Sequence, residues 1–531
     1  MFRIAAACLL FIFFTSVLKA EVIYWVQFNT KAGTPYSINK PQNFLSQRAI
    51  ERRIRQNIAI DSTDLPVNPA FIDSLNSMGL KVKHTSRWFN AAIITTPDTT
   101  LVSTLVFPSF IDTIEIRKNQ LYKSSSTKFN DEDSLLQNYY GTGYRQIEML
   151  KGHLLHEKST GKGIWVAVID AGFSNADKLE VFDSLYARNG LLGTRDFVTP
   201  GGNVFESHWH GTSVLSVMAA NQPGSFTGTA PDASYWLLRT EDAATEYPVE
   251  EDYWIIAAEF ADSIGCDITN TSLGYTTFDD PFFNHNYEQF DGNTLRVSKA
   301  ANMAVEKGMV VVCSAGNSGN ESWRHIAAPS EAEKVLSVAA VNNQGDTVYF
   351  SSAGFNSAPI PKPDIAAMGA QTTIASQNGN IVQSSGTSFS SPVIAGMAAC
   401  MVDIFPEKNA SEIISMIRQS GHLYPSHDVK YGYGIPDFST LFKTEIHAAQ
   451  MPETSIARVH PNPFSTFIIL TDENTTHLTL YNSNGNMVFS SPVSKGQSKI
   501  SSPELLNLPQ GLYFAIVKNQ NKQNITKLIK K

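Results

Sequence analysis

Apolar and polar positions alternate with different periods along the chain, and the period changes mark its parts. Arg3 is followed by an apolar run of fourteen residues, Ile4 to Val17. That run is shorter than the roughly 20 residues a membrane-spanning helix needs. Ala20 is small, as signal peptidase requires at −1, and Leu18 at −3 is not. A signal peptide over residues 1–20 is expected. Residues 21–120 then mix strand and helix signals. Val22 to Phe28 reads as a strand. Phe44 to Asn57 places Leu45, Ala49, Ile50 and Ile54 at helical spacing. Pro69 to Met78 reads as a second helix closed by Gly79, and Lys81–Lys83 and Ala91–Ile94 as strands. The pattern predicts a compact α+β module. Ser124 to Asn138 is Ser-rich, then acidic, without a core pattern, so residues 121–143 are expected to form a linker and processing region.

Between 144 and 445 the runs lengthen. Ile164–Ile169, Met309–Cys313 and Val335–Val341 are almost wholly apolar, as strands buried on both faces are. Helical patterns at Tyr253–Ile264 and Arg296–Lys307 lie between them. This alternation predicts a three-layer α/β domain around a mainly parallel sheet. After residue 446 the runs shorten again. Leu478–Tyr481 and Met487–Phe489 flank an Asn/Gly turn, and Leu512–Val517 is a further strand. A small all-β sandwich is expected over 446–531.

Composition sharpens this picture at three points. With 42% hydrophobic residues over 531 positions, the chain can bury a sizeable core. A net charge of −8 leaves no broad basic field, which argues against a nucleic-acid partner. Charged residues make up 17%, below the usual ~25%. The surface therefore leans on uncharged polar groups, which hints at life outside the cytosol. No segment after the leader has the ~18 uninterrupted apolar residues of a spanning helix. Cys8 falls in the leader, and the three remaining cysteines, Cys266, Cys313 and Cys400, sit among apolar or small residues. Three cannot all pair internally, and no CxxC or Cys/His zinc spacing is present, so buried free thiols are expected.

Three short strings carry chemistry. Asp170 ends an apolar strand in Ile169-Asp170-Ala171-Gly172, where open α/β sheets place their ligands. The same pattern also suits a turn or cap aspartate. His210 lies in His208-Trp209-His210-Gly211-Thr212-Ser213, before an apolar helix. Two histidines two apart open a metal reading, but no third ligand lies at useful spacing. Ser388 lies in Gly386-Thr387-Ser388-Phe389-Ser390-Ser391-Pro392, ahead of the apolar Val393–Val402. A serine at a helix start meets the positive end of the helix dipole, which favours a nucleophile and a developing oxyanion; it also suits a plain N-cap. Pro392 is expected in the first helical turn, whose amides need no helical partner. The Gly-x-Ser-x-Gly elbow of α/β-hydrolases is missing, because Ser390 stands at its last position. The chain order Asp, His, Ser is the subtilisin order among serine triads.

On these strings, residues 144–445 strongly resemble the subtilases, the subtilisin-like serine peptidases. The resemblance implies Asp170, His210 and Ser388 as the catalytic triad, with His208 outside it. Ser314-Ala315-Gly316-Asn317-Ser318-Gly319 resembles the family's oxyanion stretch, which implies Asn317 as donor. Ser272-Leu273-Gly274 resembles the segment that binds substrate backbone and borders the P1 pocket, with Ser314, Ala315 and Gly316 as its opposite wall. One departure is Ala171, where the family usually has Ser or Thr. Residues 21–120 resemble an inhibitory propeptide that helps the protease fold. The tail resembles a type IX secretion sorting domain of Bacteroidetes-type bacteria, through Pro461-Asn462-Pro463, Gly511-Leu512-Tyr513 and its basic end.

The resemblance implies a secreted or cell-surface serine endopeptidase that cleaves protein or peptide substrates through an acyl-enzyme. It implies the propeptide as intramolecular inhibitor and outer-membrane secretion machinery as a partner. No catalytic cofactor is expected. Subtilases often carry structural calcium, and acidic loops such as Asp279-Asp280 suit it. No Asp-x-Asp-x-Asp-Gly loop is present, so no ligands are assigned.

Overall fold

Strands that are apolar on both faces become the centre of a seven-stranded sheet. A computed structural model describes residues 22–96, 101–118, 139–354 and 361–442. In the tail it describes 459–460, 463–466, 468–470, 475–482, 486–494, 499–519 and 523–531. The expected signal peptide, the Ser124–Asn138 segment, and Pro461 and Asn462 lie outside the described residues. The chain divides into two units, residues 1–443 and 444–531.

In the first unit the strand order is 365–368, 336–341, 310–314, 268–271, 165–170, 234–239, 191–196. Every pairing in it is parallel. Helices flank the sheet, as a parallel sheet requires to bury both faces. His210–Ala219 packs with Thr387–Ile404, and Val249–Ile264 packs with Arg296–Glu306. Thr387–Ile404 is long and apolar enough to cross a membrane, but it lies in the protein core.

The N-terminal module is a four-stranded antiparallel sheet, ordered 81–86, 91–96, 22–28, 111–118, with helices Gln47–Arg55 and Pro69–Ser77. Gly79 closes the second helix with φ +82°, as its position predicts. Alternation along the first strand assigns its two faces. Val26 and Phe28 join the module's own core, while Ile23 and Trp25 pack into the core of the central domain.

The seat between module and domain is unusually charged. Asp262, on helix Val249–Ile264, is fully buried and meets Arg52, Arg53 (2.8 Å) and Arg87 (2.6 Å) of the module. Glu259, one turn earlier, accepts the Ser86 hydroxyl and the amides of Arg87 (2.8 Å) and Trp88 (3.2 Å). Arg117 bridges to Glu251 (3.1 Å) and Asp252 (2.8 Å). The Arg296 guanidinium lies 4.4 Å over the Trp25 ring.

The second unit contains a three-stranded and a four-stranded sheet. The pairings between its described strands are antiparallel, and residues of both sheets share one core that includes Phe464, Ile468, Leu480, Ile500 and Tyr513. A short helix, Pro503–Leu506, capped by the Ser502 hydroxyl on the Leu505 amide, adds to the all-β expectation.

Candidate active site

Three neighbouring strands end along one edge of the sheet. Thr271 pairs with Ile169 on one side and with Cys313 on the other. Asp170, Ser272 and Ser314 therefore follow at adjacent strand ends, the edge at which parallel sheets present their ligand sites.

Asp170 is fully buried, and its Oδ1 accepts the Ala171 amide (2.7 Å). The same oxygen lies 2.7 Å from His210 Nδ1, and His210 is also fully buried. Two glycines permit this approach. The Gly211 amide donates to the Gly172 carbonyl at 3.0 Å. A side chain begun at Gly211 would lie 2.4 Å from that carbonyl oxygen, and one at Gly172 would lie 2.4 Å from the His208 amide. His210 Nδ1 is committed to Asp170, which leaves the paired-histidine metal reading without that nitrogen.

Ser388 is the second residue of helix Thr387–Ile404, and its neighbour Phe389 lies against the His210 ring with centroids 6.0 Å apart. Pro392 is the sixth residue of this helix rather than part of its first turn, because the helix begins at Thr387. A proline there has no amide for the carbonyl four residues earlier, that of Ser388. The Ser272 hydroxyl supplies the missing donor to that carbonyl at 2.8 Å. In return Ser388 Oγ donates to the Ser272 carbonyl at 3.3 Å. Ser272 thus holds the main chain of Ser388, a role that its string alone does not reveal.

Asn317 is oriented by a residue the sequence reading passed over. Its Oδ1 accepts the Thr387 amide (2.8 Å) and the Thr387 hydroxyl (3.0 Å). That hydroxyl accepts the Gly316 amide at 3.1 Å. With the oxygen held, Nδ2 is the end of the amide left to face outward. Ser388, Asn317 and Thr387 line one cleft of about 570 Å³. Ser272, Leu273, Gly274, Ser314 and Gly316 line it too, whereas Ala315 does not. The Ala315 amide donates to Val338 (3.0 Å) and its carbonyl accepts from Ala327 (3.1 Å), which ties it into the fold behind the cleft.

The sequence reading also passed over the acids of this cleft, Glu241, Glu246 and Glu321, which belong to no motif. Asp279 lines it as well, but its Oδ2 accepts the Glu246 amide (3.1 Å), while Asp280 caps the Phe282 amide (3.0 Å). Both act as loop-fixing groups. The three cysteines are free and buried, and burial raises each thiol, Cys313 to about 12. They are poor nucleophiles at neutral pH.

The chain is similar to known proteins along most of its length. Residues 161–434 match the model of the subtilase family. Residues 23–132 match the Peptidase S8 propeptide domain, Bacteroidota, and residues 458–531 the secretion system C-terminal sorting domain. Subtilisin E of Bacillus subtilis (strain 168) is 26% identical over 368 residues, which cover 68% of this chain and 83% of its own. The serine protease AprX of the same organism is 28% identical over 305 residues, covering 52% of this chain and 65% of its own. The crystal structure of MycP1 from Mycobacterium smegmatis aligns with a TM-score of 0.46 at 22% identity, covering 64% of this chain and 94% of that one.

Proposed function

Because the chain belongs to the subtilase family of serine endopeptidases, we propose that Asp170, His210 and Ser388 form its catalytic triad and Asn317 its oxyanion donor. The observation that carries this reading is the buried 2.7 Å contact between His210 Nδ1 and Asp170 Oδ1, with the imidazole packed against Phe389, the residue that follows Ser388. A proton on Nδ1 shared with Asp170 leaves the lone pair on Nε2. That nitrogen takes the Ser388 proton as Oγ attacks a peptide carbonyl, and returns it to the leaving amine. Asp170 fixes the tautomer and stabilises the imidazolium. The tetrahedral oxyanion is stabilised by Asn317 Nδ2 and the Ser388 amide, one of the first-turn amides that a helix leaves without a carbonyl partner. Water repeats the sequence on the acyl-enzyme. The reaction uses protein groups only, as in subtilisins.

The test is a fluorophosphonate probe on the matured protein, with the modified peptide mapped by mass spectrometry. A label on Ser388 that is lost in His210→Ala supports an activated serine. No label on folded, processed protein would make the domain a binding module on an inactive fold. Asn317→Ala is expected to lower kcat by about 10²–10³, the loss known for this donor in subtilisin rather than one derived from this chain, with KM nearly unchanged. Steady-state kinetics on a peptide substrate check it, and a raised KM with normal kcat would contradict the assignment.

The sorting domain marks the protein for type IX secretion to the cell surface or the medium. The module over 21–120 acts in this reading as intramolecular inhibitor. The tail over 446–531 engages the outer-membrane machinery and is then removed.

The seat of the module is expected to respond to pH. Burial lowers His84 of the module to about 4, and the neighbouring Lys83 and Arg195 reinforce this while Asp196 opposes it. Its Nε2 lies 2.7 Å from the Phe197 carbonyl, a bond that opposes the shift without reversing it. The seated state therefore favours neutral His84. Its contribution is complete above the ordinary histidine value near 6.5 and is lost as pH falls toward 4, at up to about tenfold per unit. Glu259, raised by burial, acts in the opposite sense. The measurement is thus the difference in pH slope of module dissociation between the wild type and His84→Gln. Equal slopes would exclude His84 as a contributor.

A further inference from the structure

We infer that the cleft beside Ser388 selects a lysine or arginine side chain on the acyl side of the scissile bond. The inference rests on the reading of Ser388 as nucleophile and of Ser272–Gly274 as the segment that holds the acyl-side residues.

Four carboxylates line the cleft, those of Glu241, Glu246, Asp279 and Glu321, and among the described residues no Lys, Arg or His lines it. The acids are gathered rather than scattered. Carboxylate oxygens of Glu241, Glu246 and Glu250 lie within 4.8 Å of one another, and Glu241 and Glu250 are buried. Like charges brought together away from water create a potential that a cation relieves. The buried Tyr275 hydroxyl senses it: burial raises its pKa, and Glu241, Glu250 and Glu246 raise it further.

The acids are held in place. Glu241 Oε1 accepts the Tyr275 hydroxyl at 2.7 Å, and Asp279 Oδ2 holds the Glu246 amide at 3.1 Å. Glu250 already accepts the amides of Asp242 (2.8 Å) and Tyr247 (3.2 Å). The three glutamates are therefore not a free set of metal ligands, and an organic cation suits the cleft better. Leu273, Phe278 and Ala327 also line it. A lining that combines apolar and acidic groups matches a side chain that is methylene along its stem and charged at its tip.

The adjoining loop already holds such a side chain. Lys118, at the end of the module's last strand, places Nζ 3.2 Å from Asp242 Oδ2 and 2.9 Å from Thr245 Oγ1, and 5.3 Å from the Tyr247 ring centre. One lysine of the chain's own N-terminal module thus sits on the loop between Glu241 and Glu246.

The experiment uses the matured full-chain product and internally quenched peptides that differ at one acyl-side position: Lys, Arg, Gln, Phe or Glu. We expect kcat/KM for Lys and Arg to exceed that for Gln by about tenfold or more at one position, with Glu the poorest. The advantage should shrink as salt rises from about 0.05 to about 0.5 M and should persist in EDTA. Glu246→Gln and Glu321→Gln should each lower the Lys-to-Phe ratio of kcat/KM several-fold, and the Phe peptide reports whether each variant is folded. Equal rates for Lys, Gln and Phe at every position, or variants that leave the ratio unmoved, would overturn the inference. Absence of any hydrolysis together with no label on Ser388 would overturn the underlying catalytic reading instead.

Discussion

Replacing Ser388 by Ala is expected to lower kcat by about 10⁶, the loss known for the catalytic serine of subtilisin rather than one derived from this chain. The structure explains why the loss should fall on chemistry and not on folding. Ser388 Oγ makes one described contact, a 3.3 Å donation to the Ser272 carbonyl. The bond that ties this turn together, from the Ser272 hydroxyl to the Ser388 carbonyl at 2.8 Å, uses the main chain and survives the substitution. Thermal stability should therefore stay close to the wild type. Residual activity would come from Asn317 and substrate binding alone. If maturation is autocatalytic, the variant should also accumulate uncut within Ser124–Asn138. Intact mass spectrometry of the secreted protein decides this, and normal processing of the variant would assign the cut to another protease.

The second large effect is expected at the seat of the N-terminal module. Burial alone would raise the Asp262 carboxyl, yet Arg53, Arg87 and Arg52 hold it below its ordinary value. Arg52 and Arg53 are themselves about 1–2% exposed. Asp262→Ala removes the shared counter-charge and leaves buried guanidiniums without it. Breaking one buried pair in this way costs about 3–5 kcal/mol, so the seat should weaken by at least about 10²-fold. The wild type should retain its clipped N-terminal module through size-exclusion chromatography and stay latent. Asp262→Ala should shed the module and hydrolyse peptide at once. The exposed pair Lys334–Glu306 is the control, since such pairs contribute about 0–1 kcal/mol. Glu306→Ala should change nothing, and retention of the module by Asp262→Ala would show that apolar packing around Trp25 and Trp88 suffices.

How much of this the sequence disclosed depends on how local each cause is. Val166–Ile169, Val310–Cys313 and Leu336–Val341 are read correctly as strands because burial on both faces leaves a continuous apolar run. The strand Ile268–Thr271, of sequence Ile-Thr-Asn-Thr, leaves no such run, although it lies at the sheet centre between two of them. Its Thr271 hydroxyl accepts the Trp254 indole at 3.0 Å, and its Asn270 amide donates to Ser272 Oγ at 3.1 Å. Asn270 Oδ1 also accepts the Ser391 hydroxyl at 2.9 Å, and neither Ser391 nor Trp254 falls within a local window around the strand. The same holds for Thr387, whose hydroxyl links Gly316 and Asn317 about seventy positions away. The cleft acids are drawn from separate stretches between 241 and 321 and share no spacing. Pro392 was placed in the first turn because the apolar run begins at Val393, while the helix starts five residues before the proline.

The proline has one more consequence. In an uninterrupted helix, the Ser388 carbonyl would be held by the helix itself, and the strand end carrying Ser272 could shift without disturbing it. Pro392 transfers that attachment to Ser272, so the strand end and the start of the helix are joined through one hydrogen bond. A displacement of the strand end at Ser272 is therefore passed directly to the main chain of Ser388 rather than absorbed between them.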